Sequence, residues 1–91
     1  MGKQFIHIGS DVSIRSDEIV GIFDMDTATF SKQAREYLVT AQENGQITEV
    51  SGDLPKSFAV LKDKEKKQRV YLSPLNTKTI GKRAKNSETE F

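Results

Sequence analysis

The sequence predicts an α+β fold: a small antiparallel sheet with one main helix packed on it and a short C-terminal helix. Three observations carry this. Short apolar runs alternate with polar residues in the first 23 positions, the period of strands half-buried in a sheet. Phe30, Ala34, Tyr37, Leu38 and Ala41 recur at helical spacing and mark one apolar face. Two β-rich runs, Ser57–Leu61 and Arg69–Leu72, flank a charged tip at 62–68 and read as a hairpin.

Taken in order, Gln4–Ile8 reads as a first strand and Gly9-Ser10-Asp11 as a turn. Val12 and Ile14 then mark a second strand, which Ser16-Asp17 breaks. Glu18–Phe23, rich in β-branched and aromatic residues, is a third strand. The main helix follows, with Thr29 or Ser31 as its cap and Asn44-Gly45 as its stop. Ile47–Val50 is a short strand, and a loop through Pro55 leads to the hairpin. Beyond Pro74, Asn76 is placed to cap the last helix. Leu75 and Ile80 flank it at the spacing of a hydrophobic staple, and Lys82, Arg83 and Lys85 sit at the negative end of the helix dipole. Residues 1–85 are expected to form a single domain, and 86–91, with little to bury, a flexible tail.

With 91 residues the chain is one domain in size. Its 10.2 kDa scale to a folded surface of about 5,300 Å² against about 14,800 Å² for the extended chain. Only 35% of residues are hydrophobic, so the core is thin. Closure of apolar surface against another copy is expected. Cysteine is absent, which excludes disulfides, thiolate metal sites and cysteine nucleophiles. The opening residues have too short an apolar run for a signal peptide, and Ile6 stands where a myristoylation motif needs Ser or Thr. No stretch reaches the ~20 apolar residues of a membrane span. A cytoplasmic protein without a membrane partner is expected.

Charge divides along the chain. Residues 1–55 carry four basic and nine acidic groups; residues 56–85 carry ten basic groups against Asp63 and Glu65 alone, a balance of +8. Lys56, Lys62, Lys64, Lys66, Lys67 and Arg69 lie on the hairpin and its approach, and Lys78, Lys82 and Arg83 on the last helix. Long cationic side chains on a shared surface are what contact with a phosphate backbone requires. A polyanion such as double-stranded DNA is therefore an expected partner; the alternative on charge alone is a lysine-rich, solvated hairpin that keeps the protein soluble. No zinc-finger spacing or helix-turn-helix is present, and Phe58 and Tyr71 read as core or hairpin residues rather than stacking platforms.

Chemistry has one opening. Asp24 and Asp26 follow an apolar strand in IVGIFDMDTAT, which resembles the first motif of haloacid-dehalogenase-type phosphatases. There such a pair serves as nucleophile and acid–base and helps hold Mg²⁺. That motif continues with Gly and Thr, whereas Thr27 and Ala28 stand here, and the chain is too short for the sheet those enzymes use. The two carboxylates read instead as the lead-in to a helix, whose N-terminus favours negative charge. His7, the only histidine, reads as a structural residue, since no cluster supplies further metal ligands. No P-loop, dinucleotide fingerprint or nucleophile elbow occurs. The expectation is a protein that is not an enzyme and has no cofactor, metal or small-molecule substrate.

The segments FIHIGSDVSIRSDEIVGIFDMDT, LPKSFAV and VYLSPLNTKTIGKR, in that order and spacing, resemble the extracellular matrix regulator RemB family. These are small bacterial relatives of the biofilm activator RemA. The likeness covers residues 4–83. It implies a compact α+β chain assembled into a homo-oligomeric ring, and a nucleoid-associated regulator of matrix and biofilm genes. In the activator branch, arginines arrayed outside the ring bind DNA upstream of matrix operons. Two positions depart from that branch. Glu18 stands at one of its DNA-contacting arginines, where a carboxylate repels phosphate, and Pro55-Lys56 at an arginine pair, where one cation is kept. Arg15 and the hairpin lysines are the compensating candidates. The alternative is an interaction module that has lost DNA contact, in which the acidic first part of one subunit meets the basic part of the next.

Overall fold

The computed structural model describes residues 5–9 and 12–89, with side chains through position 83. The first hairpin pairs β1 (Phe5–Gly9) with β2 (Val12–Arg15) in antiparallel register, Ile6 opposite Ile14. Of the turn expected at Gly9-Ser10-Asp11, Ser10 and Asp11 lie outside the described residues. A 3-10 turn at Ser16–Glu18 leads into β3 (Ile19–Asp24). Next come α1 (Met25–Phe30), α2 (Lys32–Glu43), β4 (Ile47–Glu49), β5 (Ser57–Lys62), β6 (Gln68–Ser73) and α3 (Thr77–Thr89).

The fold is α+β as the sequence predicts, but the strands form two sheets, and one pairing is parallel. The four-stranded sheet has the order β3-β5-β6-β4, with β4 parallel to β6 and the other pairs antiparallel. The connection after β4 reverses the chain into β5, and β6 then folds back between them. A strand inserted in that way must run parallel to β4. Ile47 therefore sits opposite Val70 and Glu49 opposite Leu72.

The main helix differs from its prediction at one residue. Ser31 is extended (φ −105°, ψ 118°), and it separates α1 from α2. Its Oγ accepts a hydrogen bond from the Ala34 amide at 3.2 Å, so of the two caps expected it is Ser31 that serves. The break takes Phe30 off the apolar face that its spacing to Ala34 implied, and the ring is 85% exposed. The end of α2 follows the sequence closely. The Gln46 amide donates to Ala41 O and the Gly45 amide to Gln42 O, with Gly45 at φ +70°. This is a Schellman closure, which needs a left-handed residue where glycine stands.

Alternation along β5 splits the core into two layers. Ala59 and Leu61 join Ile6, Ile8, Ile14, Val50 and Ile80, so the β1–β2 hairpin and α3 cover one face of the sheet. Phe58 and Val60 join Val70 and Ala41 beneath α1 and α2, with Tyr37 and Leu38 packed at the edge. Two buried serines tie the elements of the first layer together. Ser73 Oγ donates to Ile8 O at 2.6 Å and accepts from the Leu75 amide at 3.0 Å, and Ser57 Oγ donates to Leu75 O at 2.7 Å. Asn76 caps α3 as expected, its Oδ1 accepting from the Thr79 amide at 2.8 Å, while Leu75 and Ile80 both join the first layer. The backbone of α3 runs on to Thr89, further than the short helix expected. The tail proposed at 86–91 lies outside the residues whose side chains are described.

Candidate nucleic-acid interface

The basic block, continuous in sequence, is divided in space. Lys56 precedes β5 and Lys62 ends it, a separation of about 20 Å at strand rise. Thr77 at the start of α3 donates to Asp24 Oδ1 at 2.8 Å, and Asp24 pairs with Ser57. The beginning of α3 therefore sits at the Lys56 end of the sheet. Lys78 and Lys82 lie one turn apart on that helix, both exposed. The hairpin tip, with Lys62, Lys64, Lys66, Lys67 and Arg69, forms the opposite pole. Five cations there face Asp63 and Glu65, a net charge of +3.

The tip is an ordered turn. The Asp63 amide donates to Lys67 O at 3.0 Å and the Lys66 amide to Asp63 O at 2.9 Å. The Asp63 carboxylate accepts from the Glu65 and Lys67 amides at 2.8 and 2.9 Å. Those hydrogen bonds, the one from Lys67 foremost, hold the Asp63 carboxyl below the usual carboxylate range, with Arg69 and Lys67 adding to the effect. Arg69 lies 3.7 Å from Asp63 and Lys67 3.7 Å from Glu65. Exposed pairs at such distances are weak and screened by salt. Lys56, Lys62, Lys64, Lys66, Lys78 and Lys82 form no ion pair among the described residues.

An open groove of about 600 Å³ runs beside the tip, walled by Lys66, Lys67, Arg69 and Tyr71 on one side and Gln46 and Thr48 on the other. The sequence carried no signal for Gln46 and Thr48. They reach the hairpin only because β4 joins β6 in parallel, with the Val70 amide donating to Gln46 O at 2.9 Å. Gln46 Nε2 also donates to Gln68 O, and Tyr37 OH to Gln68 Oε1 at 2.9 Å.

Two predicted contacts are engaged elsewhere. Arg15 donates twice to Asp17, from Nε at 3.2 Å and from Nη2 at 3.0 Å, and Glu18 lies 3.9 Å from Nε. The Asp17 hydrogen bonds, with the charges of both carboxylates, push its already high pKa higher still. Because Ile19 pairs with Leu61 and β3 runs antiparallel to β5, this acidic turn stands at the Lys62 end of the hairpin, beside its tip. Arg83 Nη1 donates to His7 O at 2.7 Å and lies 3.3 Å from His7 Nδ1. It ties α3 to β1. A guanidinium only donates, so that contact requires Nδ1 as an acceptor, and His7 serves a structural contact as the sequence reading held.

Asp24 and Asp26 also have a place in the fold. Asp24 occupies the N-cap position of α1 and accepts from Thr77, while Asp26 sits exposed in the first turn. Among the described residues no group of three His, Cys, Asp or Glu is placed to hold a metal ion. No described helix is long and apolar enough to cross a membrane.

A second groove, of about 470 Å³, is apolar. Val20, Phe23, Phe58 and Val60 line it from the sheet and Tyr37 from α2. The Phe23 ring stacks on Phe58 at 5.2 Å and lies across Gly21, where a Cβ would meet it at 2.7 Å. Val20 and Phe23 remain 63% and 40% exposed. Strand alternation signals such residues, but their exposure shows only once α2 is placed.

Comparison with known proteins shows the family. Residues 5–84 match the model of the RemA-like family, described as extracellular matrix regulatory protein A-like. The chain is 38% identical over 80 residues to extracellular matrix regulatory protein B of Bacillus subtilis (strain 168), covering 88% of this chain and 89% of that one. The matched span takes in both sheets, both grooves and the start of α3, and the chain belongs to the RemA-like family of extracellular matrix regulatory proteins.

Proposed function

We propose that this chain is a non-enzymatic, DNA-associated regulator of extracellular-matrix genes, acting in the cytoplasm as a homo-oligomer that holds the phosphate backbone through its basic hairpin. The observation that carries the reading is the tip itself. An ordered turn presents five cations against two carboxylates, and Lys62, Lys64 and Lys66 have no ion-pair partner among the described residues. The regulatory name of the B. subtilis relative supports the genetic role. The surface supports assembly. The second core layer opens into the apolar groove, where Val20 and Phe23 stay 63% and 40% exposed.

Fluorescence anisotropy with a random duplex of about 40 base pairs, at low and moderate salt, tests this together with sedimentation of the free protein. The expected result is an oligomer whose affinity falls steeply with salt as counterions are released. An oligomer that ignores duplex DNA at low salt would refute the reading. It would leave the interaction-module alternative, which the capture of Arg15 by Asp17 and Glu18 and the exposed Val20–Phe23 groove favour.

A further inference from the structure

Lys66 occupies a backbone position that lysine disfavours. The β5–β6 loop is a turn closed by the Lys66 amide on Asp63 O, and Asp63 then faces both Lys66 and Lys67 across the hairpin. Three-residue hairpin loops of this kind put their last residue in the left-handed region, where glycine is preferred. Lys66 stands there at φ +66°, alone among the described non-glycine residues. The Cβ of any L-residue crowds its carbonyl in that conformation. The two hydrogen bonds from the Glu65 and Lys67 amides to the Asp63 carboxylate hold the loop in place. A left-handed cation held by its surroundings points to use of the side chain rather than to ease of folding.

Its surroundings show what the use is. Lys66 lines the open groove together with Lys67, Arg69, Thr48 and Tyr71. Lys67 and Arg69 are each 3.7 Å from a carboxylate, whereas Lys66 has none within ion-pair distance among the described residues. Ammonium, guanidinium and hydroxyl donors around one groove suit a tetrahedral anion, and an aromatic wall suits the sugar or base beside it. We infer that this groove seats one backbone phosphate of nucleic acid, with Lys66 as its principal ligand. The inference rests on the reading of the chain as a DNA-binding protein and adds where the backbone lies. The pole of Lys56, Lys78 and Lys82 is secondary.

Lys66→Gly and Lys66→Asn test it, since both residues accept the left-handed conformation. Each variant should keep or raise Tm, bind the duplex more weakly, and lower the slope of log affinity against log salt by about one for each seat lost. The double variant Lys56→Gln/Lys82→Gln should lose less affinity than either. In heteronuclear NMR of the wild type with a short duplex, the amides of residues 45–48 and 66–71 should shift most. A wild type that binds, beside Lys66 variants with unchanged affinity and slope, overturns the seat and leaves the DNA reading standing. A wild type without salt-dependent binding overturns both.

Discussion

Ser73 shows how much a single side chain carries in a core this small. Its hydroxyl is fully buried, donates to Ile8 O and accepts from the Leu75 amide, so one atom joins β1, β6 and the approach to α3. Ser73→Ala removes both hydrogen bonds at a buried site and should lower stability by about 1–3 kcal/mol, read as the shift in urea midpoint. A loss within error would mean that neither bond contributes. Nothing local distinguishes Ser73 from the exposed serines of the chain, because its partner Ile8 is 65 residues away. Arg15 and Arg83 make the same point for charge. Both read as free cations in sequence, yet one is held by Asp17 and the other by the carbonyl of His7. The hairpin lysines were legible because a charged run between two strands has no core to enter.

At the scale of elements, the terminators were more legible than the faces. Asn44-Gly45 and Asn76 act over three or four residues, and the structure places each cap where the residue types put it. Gly45→Ala should cost about 1 kcal/mol, from the left-handed conformation alone, since a Cβ there meets nothing within 4 Å. Thermal unfolding of the variant checks this, and an unchanged Tm would show that the turn relaxes. The face of the main helix was read correctly from Ala34 to Ala41 but not at Phe30. Periodicity assumes an unbroken helix, and the extended Ser31 rotates everything before it.

For the whole molecule, the proposed assembly and the proposed DNA contact fall on different kinds of surface, one apolar and one cationic. Val20 lies on β3, an edge strand of the four-stranded sheet, and is already 63% exposed. Val20→Asp should therefore leave the fold intact by circular dichroism. If the apolar groove is the seam between copies, sedimentation of that variant should show a smaller particle. An undiminished oligomer would place the seam elsewhere. By itself the sequence determined the order of strands and helices, save for the break at Ser31, along with the caps at Asn44-Gly45 and Asn76, the division of charge and the family likeness. Each of these is written in residue type, spacing of a few positions, or the order of segments. Only the tertiary structure decided the parallel pairing of β4, the two poles of the basic block, the capture of Arg15 and the groove that brings Gln46 and Thr48 to Lys66. Those depend on which distant strands bury each other's apolar faces, a choice made by the summed packing of the core and carried by no local stretch of chain.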